Sequence, residues 1–323
     1  MGYFNTLVLD SQGYLHLGYF QETSDMVWHA HNDSGEWLFD YVLGGVGNGI
    51  DVTLALDSKD NPHYGYRVKG KKLTPELKYV YWNGSRWVTV RGYGSYVADT
   101  DISMALDPED HPHFSYLDGY SYTVMYATYT PQKGWEFQTV DNGNAGCRAF
   151  PIAVDSGGIP HLAYQSEKGG LRYATLQEGV WQRVDVDPAA GAGVYSDLTI
   201  APDGSVHIAY YNANEGSLQY AYQGEDGAWQ IETVDSGGDA GQFPSIKVDA
   251  NGEVYIAYYD AVQTALKFAH RRQGQWSVET VDNQGNVGRY ASLVVDPHGT
   301  VYIAYLDRDR EDSKLAQGFR VGP

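Results

Sequence analysis

The chain has 323 residues and a formal charge of −19, from 22 Lys and Arg against 41 Asp and Glu. That excess of carboxylates repels phosphate backbones and anionic headgroups, so neither nucleic acid nor membrane is an expected partner. No run of about 18 apolar residues occurs, and the single cysteine, Cys147, rules out an internal disulfide and a cysteine-based zinc site.

The abundance of 28 Tyr, 8 Trp and 38 Gly favours strands and tight turns. The Met1-Gly2 start lacks a basic-then-apolar leader; an extracellular or periplasmic address is expected, with the cytoplasm left open.

In chain order, one template recurs seven times: LVLDSQGYLHLGY, LALDSKDNPHYGY, MALDPEDHPHFSY, IAVDSGGIPHLAY, TIAPDGSVHIAY, IKVDANGEVYIAY and LVVDPHGTVYIAY. Each copy reads as apolar alternation, a turn, and a second alternating run. That is the period of paired strands rather than of a helix.

The anchors Asp10, Asp57, Asp107, Asp155, Ala201, Asp249 and Asp296 are spaced about 48 residues apart, the size of a four-stranded propeller blade. Six residues after each stands His16, His63, His113, His161, His207, Tyr255 or Tyr302. A third apolar run follows, then a turn ending in Trp37, Trp87, Trp135, Trp181, Trp229 or Trp276, each the same 20 positions before the next anchor. Such constancy predicts a pinned loop from each fourth strand to the next blade. Gly49, Gly193, Gly241 and Gly288 fit positions there that need positive φ.

Two positions after each His or Tyr the residue is always small: Gly18, Gly65, Ser115, Ala163, Ala209, Ala257 or Ala304. The sheets should therefore stack bulky face against small face. The pattern predicts an all-β, seven-bladed propeller in a single domain. Its blades fall at about 1–43, 44–93, 94–141, 142–187, 188–235, 236–282 and 283–323, with the last three-stranded and closed without a strand from the opposite terminus.

In such a fold the first strands line the central channel, and the loops between strands four and one crowd one mouth. The predicted ligand ring, six residues before each anchor, is Phe4, Asp51, Asp101, Ala149, Tyr195, Phe243 and Tyr290; Asp197 stands four before its anchor. Carboxylates on blades two and three face aromatics on blades five, six, seven and one. That pairing suits a polyol such as a sugar, or an organic cation.

Arg67, with Lys69, Lys71 and Lys72, is the one basic cluster and reads as a solvated loop, or as a partner for a carboxylated sugar. The recurring histidines read as shared hydrogen-bonding or packing positions rather than a metal ring. His29 and His31 share a strand face, but a third ligand is not evident in the sequence. The glycines of Leu43–Ile50 are turn chemistry, since no Lys-Ser/Thr follows, and no Gly-x-Ser-x-Gly elbow occurs. No cofactor or metal is expected beyond a structural Ca²⁺ that an acidic mouth could hold.

The repeated Asp-x-x-Gly-x-x-His, with its third strand and Gly-x-Trp turn, resembles the sialidase-type, Asp-box repeat propellers. The nearest segments to an Asp-box are Asp33-Ser34-Gly35-Glu36-Trp37 and Asp226-Gly227-Ala228-Trp229, both without the leading Ser or Thr. The resemblance implies carbohydrate contact without fixing a reaction. Sialidase chemistry needs three clustered arginines, which this sequence does not place at one mouth.

Three functional readings follow. The first is a lectin-like propeller, a monomer binding a glycan or other small polar ligand at the channel mouth. The second is a lyase or hydrolase of an acidic polysaccharide, with Tyr211 or Tyr259 as acid or base and Arg67 or Arg148 neutralising a uronate. The third is an interaction scaffold without catalysis.

Overall fold

The computed structural model describes residues 2–21, 24–44, 51–68, 76–92, 102–142, 150–224 and 226–318. Those residues form 27 strands and no helix. The strands make seven antiparallel meanders, six of four strands and a last of three. Blade five is representative, with strands Ala192–Ile200, Val206–Asn212, Ser217–Gln223 and Trp229–Asp235. The protein is a seven-bladed propeller.

Each blade begins with a hairpin that the anchor aspartate holds. Asp155 Oδ1 accepts hydrogen bonds from the amides of Gly157 and Ile159, both at 2.8 Å, and Asp57, Asp107, Asp249 and Asp296 repeat the pattern. An aspartate is suited here because its short carboxylate reaches amides two and four residues on. In blade five, where Ala201 holds the anchor place, Asp203 accepts from the amide and hydroxyl of Ser205 instead.

The other Asp oxygen approaches the repeat histidine, which continues the chain. His161 Nε2 lies 3.5 Å from Asp155 Oδ2, while its Nδ1 meets the Tyr173 hydroxyl at 2.5 Å. The pairs His63–Tyr79, His113–Tyr126 and His207–Tyr220 do the same at 2.6 to 2.7 Å. This is the shared hydrogen-bonding role expected from the sequence.

Between blades, bulk meets absence of bulk. A Cβ added to Gly18 would lie 2.7 Å from the Tyr64 ring of the next blade, and one added to Gly65 would lie 2.6 Å from Phe114. Side chains at positions four before the anchor then bond across the seam to the next first strand. Ser103 Oγ accepts from the amide of Ile152, Asp197 Oδ2 from Ile246, Ser245 Oγ from Leu293, and Ser292 Oγ from Leu7.

The last of these closes the ring. Blade seven meets blade one through Leu7, Leu15, Val294 and Ala304, together with a hydrogen bond from Ser313 Oγ to Asn5 Oδ1 at 2.7 Å. Among the described residues the first and last sheets close by packing and these side-chain hydrogen bonds, with no strand shared between them.

Candidate functional site

First strands of all seven blades line a central channel of about 780 Å³. At one mouth, three predicted ring residues converge. The ring centroids of Tyr195 and Phe243 are 4.3 Å apart and those of Phe243 and Tyr290 4.6 Å, with interplanar angles of 41° and 48°. All three are half-buried on the channel wall.

The backbone is bent to present them. Each lies inside a break in the register of its first strand: between Ala192 and Ser196, Gln242 and Ser245, and Arg289 and Ser292. Phe243 and Tyr290 take φ of 51° and 52°, a left-handed conformation that costs a bulky residue on the order of 1–2 kcal/mol. A bulge re-aims a side chain, and strain of this kind persists where the surrounding structure holds it. Gly241 and Gly288, just upstream, carry φ of 113° and 108°, the positive values expected of that loop.

A second row stands behind the arc. The Tyr211 ring lies 6.3 Å from Tyr195, and Tyr259 lies 6.5 Å from Phe243. Tyr211 donates its phenolic proton to Asp239, which also accepts from Gln242 Nε2 at 3.2 Å. Burial, and then this carboxylate, push the Tyr211 pKa up to about 12. Tyr259 donates to Asn286 Oδ1 at 2.9 Å, and the Arg289 guanidinium sits 4.9 Å from the Tyr259 ring centroid. Arg289 Nε is buried and meets no acceptor among the described residues.

Sequence reasoning missed Asp239, Gln242 and Arg289. A signal was available: Gln242 and Arg289 directly precede ring positions, and Asp239 stands as far before Asp249 as Tyr211 stands after Ala201.

The acidic half of the ring is only partly visible. Asp51 is buried and paired with Arg67, Nε to Oδ2 at 3.1 Å. Arg67 therefore differs from the solvated loop residue expected: it is 3% exposed within strand Pro62–Val68, because a carboxylate one strand away compensates its burial. Asp197 lines the channel, with its pKa pushed up by burial against the opposing pull of Lys247 and two amides. Asp101, Arg148, Ala149 and Lys69, Lys71 and Lys72 lie outside the described residues, as does the side chain of Phe4.

Among the described residues no group of three or more His, Cys, Asp or Glu is placed to hold a metal ion. His16 joins His29 and His31 in blade one, with His16 Nδ1 3.0 Å from His29 Nε2 and His29 Nδ1 2.6 Å from the Tyr64 hydroxyl. His31 packs against both rings while its own nitrogens meet Asp33 at 2.9 Å and Asp40 at 3.2 Å, so the cluster fits the structural role of the other repeat histidines.

No protein-family model matches the chain, and no curated protein is similar to it. Solved structures are similar in fold. The BP39L lectin from Burkholderia pseudomallei superposes with a TM-score of 0.74 at 12% identity, over 100% of this chain and 98% of that one. The polysaccharide lyase Uly1 gives 0.58 at 13% identity, over 98% and 89%. The six-bladed fucose-recognising lectin of Aleuria aurantia gives 0.59 at 12%, over 86% and 95%. At these identities the likeness is one of propeller architecture.

Proposed function

We propose that the protein binds carbohydrate at the channel mouth formed by blades five to seven. The observation that carries this reading is the arc Tyr195–Phe243–Tyr290, three aromatic faces set at breaks in strand register, Phe243 and Tyr290 with strained positive φ, beside Asp239, Gln242 and Arg289. Sugars present apolar C–H faces to rings and hydroxyls to carboxylates, amides and guanidinium groups, and this wall offers both. Arg289, with its buried Nε, suits a sugar bearing a carboxylate or sulfate. The lectin and lyase neighbours support the reading by fold.

Binding fits better than cleavage. A Tyr general base needs its pKa lowered, whereas Tyr211 is held high and hydrogen-bonded to Asp239, and Arg67 is committed to Asp51. The reading extends to an extracellular or periplasmic monomer; no helix among the described residues is long and apolar enough to cross a membrane.

Calorimetry against neutral and acidic glycans tests the proposal. A ligand found for the wild type should bind at least about tenfold more weakly to Tyr290→Ala. Failure of every glycan to bind, or undiminished affinity in Tyr290→Ala and Phe243→Ala, would sink it. Appearance of an unsaturated uronate product would revive the lyase.

A further inference from the structure

Two polar bays stand behind the aromatic arc, and the repeat aligns them position by position. Each combines the residue ten after one anchor with those ten and seven before the next. Blades five and six supply Tyr211, Asp239 and Gln242; blades six and seven supply Tyr259, Asn286 and Arg289. In the other blades the residue ten after the anchor is Phe20, Arg67, Leu117, Gln165 or Leu306. A phenol at that place is therefore no general need of the fold, and it occurs where the arc is.

The two bays share a frame. Tyr211 donates to Asp239, and Tyr259 to Asn286 Oδ1 at 2.9 Å. The backbone carbonyls of Asp239 and Asn286 accept from the amides of Ala261 and Arg308 at 2.8 and 2.9 Å. Phe243 divides the bays, 4.3 Å from Tyr195 on one side and 4.6 Å from Tyr290 on the other.

What the frame presents is opposite in kind. Asp239 can only accept, and Gln242 spends its Nε2 on both oxygens of that carboxylate at 3.2 Å, which leaves Gln242 Oε1 as a second acceptor. In the other bay Asn286 Oδ1 is taken by Tyr259, which leaves its Nδ2 as a donor, beside a guanidinium 4.9 Å from the Tyr259 ring centroid. Arg289 forms no ion pair among the described residues, in a chain with 41 Asp and Glu against 22 Lys and Arg. Asp309, the carboxylate at this bay, accepts from the Asn286 backbone amide at 2.9 Å instead.

We propose that the mouth reads two consecutive residues of one glycan by charge: a sugar bearing a carboxylate or sulfate in the Arg289 bay, joined to an uncharged, hydroxyl-rich sugar in the Asp239 bay. The inference rests on the glycan reading and narrows its ligand to chains in which acidic and neutral residues alternate. The ring spacings are comparable to the length of one sugar residue, so adjacent residues meet different bays. The anion accepts from Arg289 and Asn286, while hydroxyls of the neutral residue donate to Asp239 and Gln242. A chain acidic at every residue sets a second anion against Asp239, and a neutral chain leaves the guanidinium without a counter-charge. Each mismatch disfavours the wrong ligand. The net charge of −19 opposes an acidic glycan only weakly at physiological salt, where exposed charges are screened over about 8 Å.

Calorimetry with three sets of size-matched oligosaccharides tests the ordering: chains alternating uronate with N-acetylhexosamine, the same chains with carboxyls reduced to alcohols, and oligogalacturonates, acidic throughout. The wild type should bind an alternating chain at least about tenfold more tightly than either of the others. Arg289→Gln should erase the preference over the reduced chain, and with it most of the salt dependence. Asp239→Asn with Gln242→Arg copies the blade-seven set onto blade six and should move the preference to oligogalacturonates. Since this fold already carries both sets, circular dichroism and the urea midpoint should not change. Wild-type preference for a wholly neutral or wholly acidic glycan, or a preference unmoved by Arg289→Gln or by the double variant, would overturn the ordering while leaving the glycan site in place. Absence of binding by every glycan would remove both.

Discussion

The two ends of each blade obey different rules. At the hairpin end, Asp, His and Tyr form one hydrogen-bonded chain that recurs with interchangeable parts. Blade four runs Asp155, His161, Tyr173; in blade six Tyr255 replaces the His, reaches Asp249 Oδ2 at 3.1 Å, and faces Phe268 where a second hydroxyl is no longer needed. At the mouth, blades five to seven present Tyr195, Phe243 and Tyr290, whereas blade two buries Asp51 against Arg67. A feature that every blade requires is conserved in kind around the ring, and the departures from it gather at one end. That asymmetry is what locates a candidate site in a repeat protein.

The seams should prove more sensitive than either end. Trp181 is 8% exposed within the cluster between blades three and four, so Trp181→Ala should cost about 3–5 kcal/mol, read as a lowered urea midpoint. A smaller loss would mean that the blades stack less interdependently than the packing implies.

Acid should act on the hairpin end. Burial lowers the pKa of His207 to about 4 and of His29 to about 3, against an ordinary value of 6.5. As pH falls through that window the unfolded chain takes up protons that the folded one resists. Stability conferred by the neutral rings is therefore complete above the ordinary value and declines below it, by up to about 1.4 kcal/mol per pH unit for each ring. Urea midpoints at about pH 7 and pH 5 should show the decline, reduced in His207→Gln.

Interchangeability has a direct test. Tyr173→Phe leaves His161 Nδ1 without its partner and should cost about 1–3 kcal/mol. Adding His161→Tyr to it copies the blade-six solution and should recover most of that loss. Non-additivity measured in this double-mutant cycle would confirm one hydrogen-bond chain solved two ways; simple additivity would break the comparison.

The smallest effect is expected at the mouth. In Phe243→Gly, relief of the positive φ offsets lost ring contacts, so stability should stay within about 1 kcal/mol of the wild type while any glycan affinity falls. A large destabilisation would make the arc part of the core rather than a binding surface.

The propeller was legible because its constraints are periodic. Asp anchors, small residues at Gly18, Gly65 and their equivalents, and Trp at constant spacing each report a contact made once per blade. The aromatic arc was legible for the same reason, since ring positions count back from an anchor. Arg67 was misread as solvated because its partner Asp51 lies a strand away, and charge compensation across a hairpin leaves no mark on local composition. The roles of Asp239 and Arg289 were hidden likewise, since each depends on a neighbouring strand or blade.

The sequence by itself determined the number of blades and the face each strand buries, because these follow from local alternation repeated at fixed intervals. Only the tertiary structure decided which polar groups neutralise one another and which rings reach stacking distance. Those outcomes depend on distances between blades, and such distances are set by the packing of the whole ring.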